Sequence, residues 1–220
     1  MSDSRDIDTS RDANDPGLSV GSGGTSLGDL FFLMDRDPRT SSRPLVIVLH
    51  GALRHSENTQ AWFPVLSKDF DVIFVDLPGH GLSDDPWQPE RLPELLAALA
   101  SRPAGSARLA VVAAGDTAAA LLRGANRLAV AAVVLLSPAL PETAAGWDRS
   151  PSVSKLFLAG SLAGDELARC RRAANALGGW AVVVGVPDAA QGTELLVGDH
   201  LGTVVAHAAG FLRQALARRA

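Results

Sequence analysis

Cysteine occurs once in this chain, at Cys170, which excludes an internal disulfide framework and is compatible with a reducing compartment. Lysine is almost as scarce. Lys68 and Lys155 are the only two, so nearly all positive charge is arginine, a bias expected of a GC-rich, bacterial genome rather than of a function. No apolar run reaches the roughly 20 residues needed to cross a bilayer, and no membrane span is expected. The polar stretch MSDSRDIDTSRDANDP has no apolar core of the kind a signal peptide requires, which makes a cytoplasmic location the expectation. Charge is balanced too evenly, at a formal net of −4, to suggest a nucleic-acid surface. Cys/His clusters at zinc spacing are missing. The glycines of Gly21–Gly24 precede a strand instead of opening a helix, and Gly160–Gly164 lacks the lysine of a phosphate loop. No metal and no cofactor are expected.

What is present is a chain of 220 residues, 47% hydrophobic, enough for one well-buried domain. Residues 1–27 are rich in Ser, Asp and Gly and are expected to form a disordered tail, leaving 28–220 as a single domain without a cap. Short apolar runs predict strands at Leu30–Met34, Leu45–Leu49, Val72–Val75, Leu109–Ala113, Val130–Leu136, Lys155–Leu158 and Ala181–Val184. Several are apolar at every position, as strands covered on both faces must be. Between them, helical periodicity runs through Thr59–Ser67, Glu90–Ala100, Ala118–Ala125, Asp165–Leu177 and Thr203–Arg218. That alternation predicts an α/β fold: a three-layer α/β/α sandwich around a mostly parallel, doubly wound sheet. Such sheets carry function in the loops at the carboxyl ends of their strands.

Two of those loops carry a resemblance. Val48-Leu49-His50-Gly51-Ala52 ends one buried strand, and Asp76-Leu77-Pro78-Gly79-His80-Gly81-Leu82-Ser83 ends the next. Together they resemble the α/β-hydrolase fold family, in particular its small, lidless, dienelactone-hydrolase-like and esterase-like members. The resemblance implies that the backbone N–H of Ala52 belongs to an oxyanion hole, with His50, Gly51 and Ala118 around the same pocket. His80 and Ser83 are structural in such segments, and the two glycines permit a tight turn.

The family places its nucleophile in a strand-to-helix turn of the form G-x-S-x-G. The corresponding stretch here, Val112-Ala113-Ala114-Gly115-Asp116-Thr117-Ala118, contains no serine. Matching Gly115 to the first glycine puts Thr117 at the nucleophile position; matching Ala114 there puts Asp116 at it. Downstream, Leu158-Ala159-Gly160-Ser161-Leu162-Ala163-Gly164-Asp165 resembles the family's acid loop, which makes Asp165 either the triad acid or a helix cap. Ser161 falls one strand too late for a nucleophile, and Glu142 is a weaker acid candidate. Gln191-Gly192-Thr193-Glu194-Leu195-Leu196 resembles the segment that carries the family's histidine, with Gln191 in its place. An amide is not basic and cannot shuttle a proton. His200 is the remaining imidazole near that segment; His55 and His207 give no sign of function.

Two readings follow. In the first, the chain is a pseudoenzyme with a degenerate catalytic triad that binds a small molecule or a protein partner through the former active-site face. In the second, it is an esterase or related hydrolase using Thr117 or Asp116 with His200 and Asp165. A homodimer is compatible with either.

Overall fold

The computed structural model describes residues 8–11, 19–25, 28–34, 42–50, 61–83, 86–100, 108–124, 128–142, 149–189, 195 and 198–217. Among the described residues, nine strands form one sheet. The first three are β1 (Asp8–Arg11), β2 (Ser19–Thr25) and β3 (Gly28–Met34). They are followed by β4 (Leu45–Leu49), β5 (Asp71–Val75), β6 (Leu109–Ala114), β7 (Ala132–Leu136), β8 (Ser154–Gly160) and β9 (Ala181–Val186). Their spatial order is β1-β2-β3-β5-β4-β6-β7-β8-β9. From β5 to β9 every neighbour is parallel, whereas β1, β2 and β3 pair antiparallel and join the sheet through β3 against β5.

All seven strands read from the sequence are present. Of residues 1–27, expected to form a tail, those described, 8–11 and 19–25, form strands, and the others lie outside the described residues. Backbone ladders run from Asp8↔Ser22 to Arg11↔Ser19 and from Ser19↔Met34 to Thr25↔Gly28. The physical reason is that a strand added to an existing edge is held by main-chain hydrogen bonds, which the Ser- and Gly-rich segment supplies as well as any other. A deficit of apolar side chains therefore did not decide the matter.

The central strands are buried from end to end because helices cover both faces, which is why their sequences read as unbroken apolar runs. On one face Val111, Val133 and Phe157 pack with Leu95 of α2 (Leu92–Leu99), Leu121 of α3 (Gly115–Gly124) and Leu177 of α4 (Glu166–Leu177). On the other, Phe74, Val112 and Val134 pack with Leu66 of α1 (Phe63–Leu66) and with Val204 and Leu212 of α5 (Leu201–Ala217). A four-residue helix has no stability of its own. α1 is held by burial of Phe63 and Leu66, each contributing about 1.5–3 kcal/mol.

Lys155, fully buried near the amino end of β8, is satisfied by carbonyls. Its Nζ donates to Ser150 O at 2.6 Å, Val153 O at 2.8 Å and Gly178 O at 3.0 Å. These bonds lie at the opposite end of the strand from the loops that matter for function. Among the described residues, no helix is long and apolar enough to cross a membrane.

The chain passes from β4 to β5 on one side of β4 and then to β6 on the other. This reversal makes the carboxyl ends of β4 and β6 the topological switch point, where doubly wound sheets bind ligands. His50 and Gly115 stand at those two ends.

Candidate functional site

The loop after β5 is locked from within. The Asp76 side chain accepts the Leu82 N–H at 3.1 Å, and Ser83 Oγ donates to Asp76 O at 2.7 Å while accepting the Phe31 N–H at 2.8 Å. Gly81 sits at φ +56, and a Cβ added there would fall 1.9 Å from Asp76 Oδ2, so no other residue fits. His50 is buried, and its Nε2 accepts the Leu77 N–H at 3.0 Å. An imidazole accepting a backbone N–H at Nε2 has no proton there, so this ring is spent on holding the loop. Its ring packs at 5.1 Å from that of His80, whose Nδ1 lies 3.0 Å from Pro78 O. His50, His80 and Ser83 are thus framework.

The turn from β6 into α3 is made at Gly115, whose φ is +55. A glycine there is required by the backbone and not by crowding, since an added Cβ would meet nothing within 4 Å. Asp116 and Thr117 follow it, inside the helix. Thr117 and Ala118 face the core and are buried, whereas Asp116 is exposed.

An open cleft of about 610 Å³ lies at the carboxyl ends of β6 and β7, beside the first turns of α3 and α4. Gly115, Asp116, Ser137, Glu166 and Arg169 line it, and the loop Pro138–Pro141 closes one wall. That loop is fastened over the turn by Ala139 N–H donating to Gly115 O at 3.0 Å. Ser137 holds a left-handed φ of +39, unusual for a residue with a side chain. Strain of this kind costs on the order of 1–3 kcal/mol and collects at functional positions.

Three buried polar atoms around this cleft make no hydrogen bond among the described residues: Ser137 Oγ, Glu166 Oε1 and Arg169 Nε. Each costs about 1–3 kcal/mol to leave unpaired, so their grouping is the most informative feature of the site. Burial pushes the Glu166 carboxyl above its ordinary pKa; the neighbouring Ser137 hydroxyl and the Arg169 guanidinium oppose the shift, and the charge of Asp165 adds to it. The Ser137 hydroxyl is near enough to favour the ionised acid, yet it stops short of hydrogen-bond geometry. One turn further along α4, burial and then the Glu166 charge push the Cys170 thiol up to about 12, so it stays protonated and inert at neutral pH.

Of the residues singled out in the sequence as site candidates, Asp116 alone lines the cleft among the described residues. Asp165 is exposed and pairs with Arg169 Nη1, and its side chain makes no capping bond to α4. Glu142 is exposed in the loop after β7. His200 is half-buried in the turn before α5, where its carbonyl accepts the Val204 N–H; it makes no bond to Asp116 or Thr117 among the described residues. His207 is exposed on α5, and Ser161 Oγ accepts the Asp188 N–H at 2.9 Å, holding a turn. Gly51, Ala52, His55 and Gln191 lie outside the described residues. The sequence reading missed Ser137, Glu166 and Arg169. A signal for Glu166 was available: it shares a helical face with Cys170, Ala173 and Leu177, all buried.

A doubly wound sheet with its loops gathered at the switch point, a buried histidine, His50, at the end of β4 and a strand-to-helix turn after β6 define a hydrolase-type α/β class. A family profile described as alpha/beta hydrolase fold matches residues 44–160. The chain belongs to the α/β-hydrolase fold family. Among solved structures, it is similar to a predicted CIB-like hydrolase from Thermoplasma acidophilum, with 17% identity over 90% of this chain and 100% of that one, at a TM-score of 0.71. It is also similar to XC6422 from Xanthomonas campestris, an α/β serine hydrolase without a lid, with 13% identity over 92% and 96% of the two chains and a TM-score of 0.65. Haloalkane dehalogenase DbeA-M1, a loop variant from Bradyrhizobium elkanii, matches at 15% identity over 93% and 99% and a TM-score of 0.68. These likenesses establish the fold. Among curated proteins none matches.

Proposed function

We propose that this chain is a non-hydrolytic member of its family, a pseudo-hydrolase that binds a small ligand at the carboxyl ends of β6, β7 and β8. The observation that carries the reading is Gly115. In this family the nucleophile is the strained residue between strand and helix. Here the left-handed residue at that turn is a glycine, which offers neither hydroxyl nor carboxylate. Asp116 and Thr117 both come after the turn, and Thr117 is packed into the core. The acid expected at Asp165 is engaged by Arg169 on the surface. Gln191, by its sequence register, supplies no base. Without a base a hydroxyl stays protonated, and general base catalysis alone is worth about 10² to 10⁴ in rate. Residues 137–153, between β7 and β8, leave little room for an inserted cap, in keeping with a single open domain.

The test is a panel of an activated short-chain p-nitrophenyl ester, a lactone and a haloalkane. The purified protein is assayed beside Thr117→Ala, Asp116→Ala and His200→Ala. Product formation is expected to match a heat-inactivated control throughout. Turnover well above that control, abolished in any one of the three variants, establishes the hydrolase reading instead.

A further inference from the structure

The two edges of the sheet are unlike. β1, at one end, is four residues long and carries Asp8 and Arg11, charges of the kind that keep an edge from pairing. β9, at the other, reads Ala-Val-Val-Val-Gly-Val, with no charge, no proline and no bulge. In β4, β5, β7 and β8 the same unbroken apolar pattern marks strands that are flanked on both sides and wholly buried. Yet Ala181, Val182, Val183 and Val184 are only half-buried and Gly185 is exposed, and no strand lies beyond them among the described residues. The faces of β9 are covered: Ala181 and Val183 pack on the α4 side of the sheet, Val182 and Val184 on the α5 side. What stays open is the hydrogen-bonding edge. Trp180 O and Val186 O accept the N–H groups of Lys155 and Ser161. By the two-residue period of a strand, Val182 and Val184 also turn their N–H and C=O groups towards β8, and Ala181, Val183 and Gly185 turn theirs outward.

We propose that β9 pairs antiparallel with β9 of a second copy of this chain, about a two-fold axis at Val183, so that the two sheets become one. Outward-facing residues exchange the bonds of such a pair, which sets Val183 opposite Val183 and Ala181 opposite Gly185. The strand suits itself as a partner. Self-pairing brings no like charges together, and the residues that meet at each end of the valine run are small. The axis also exchanges the strand ends. The carboxyl end of each β9 leads to exposed Asp188. It comes beside the amino end of the other, where Nη2 of exposed Arg149 lies 3.2 Å from the place a Cβ would take on Gly178. Each copy thus offers one acidic and one basic end, and a two-fold axis matches both from a single sequence. That reciprocity favours a second copy over a foreign strand.

Sedimentation velocity of the full-length protein across the micromolar range is expected to show a species of twice the chain mass, and Val183→Pro to return it to the monomer. The Val183 N–H faces outward, so proline there removes no bond to β8. Amide hydrogen exchange reads the same edge without a substitution. The amides of Ala181, Val183 and Gly185 are expected to be protected in concentrated protein and to exchange at least about tenfold faster on dilution to the monomer. Val182 and Val184, bonded to β8, are expected to stay protected throughout. Register is read by mild oxidation of Val183→Cys, whose thiols face each other across the axis within disulfide reach, beside Val182→Cys, whose counterpart is Val184. Cys170 is buried and does not compete. Cross-linking is expected at 183 and not at 182. Should Val183→Pro fail to fold, exchange and cross-linking decide. A monomer at every concentration, a dimer whose outward amides exchange freely, or equal cross-linking at the two positions overturns the proposal. Protection of the outward amides that persists in the monomer also overturns it, and assigns the edge to another segment of the same chain.

Discussion

Glu166 decides how the site behaves as a single residue. Its carboxyl is held above the ordinary value by burial, which means the folded protein binds this proton more tightly than the unfolded chain does. The associated stability is fully present below the unfolded value of 4.5 and is lost as pH rises through the higher folded value. Glu166→Gln stays neutral and escapes that loss. Urea unfolding at a series of pH values is therefore expected to show the variant gaining on the parent protein from pH 4.5 towards neutrality. A parent that gains on the variant over the same range would mean that Arg169 and Ser137, not burial, control the carboxyl. Legibility at this scale was uneven. Asp165 drew attention because it stands in the acid loop, but one residue is 100° of helix, and that rotation puts Asp165 in solvent and Glu166 against Ser137. The strand-to-helix turn was legible but its register was not: the two alignments set Asp116 or Thr117 at it, whereas the left-handed residue is Gly115, directly after the apolar run of β6 ends at Ala114, where a glycine adopts such a turn at no steric cost.

At the scale of elements, the loop Asp76–Ser83 behaves as a fixed part and not as a moving one. It is pinned to β3 through the Phe31 N–H, to His50 through the Leu77 N–H, and to itself through Asp76. Gly81→Ala would drive a Cβ into the Asp76 carboxylate from a strained backbone. A loss of about 2 kcal/mol or more is expected, read as a lowered urea midpoint with an unchanged slope. A variant as stable as its parent would show that the loop yields. The strands were legible because burial on both faces leaves a continuous apolar run that no surface element imitates. β1 and β2 were not, because edge pairing is written in backbone groups, and Ser19–Thr25 carries no apolar alternation to announce it.

For the molecule as a whole, the sheet brings the ends of β6, β7 and β8 together, and with them Gly115, Ser137 and Glu166, residues far apart in the chain. The family could be read from the pair His50-Gly51 and the segment Asp76–Ser83, because His50 and that segment are framework and framework tolerates little change. The site could not be read in the same way. Its members are defined by which polar atoms remain unpaired after packing, a property of the assembled fold and not of any local motif. On the non-hydrolytic reading proposed above, a hydrolase fold keeps its scaffold while the strand-to-helix turn, with Gly115 at its left-handed position, carries no side chain to attack a substrate. The most direct measurement is the intact mass of the full-length protein after incubation with a fluorophosphonate and, separately, with a haloalkane, each acid-quenched. The account predicts an unchanged mass in both. A stoichiometric adduct mapped by peptide mass spectrometry to Asp116 or Thr117 would contradict it.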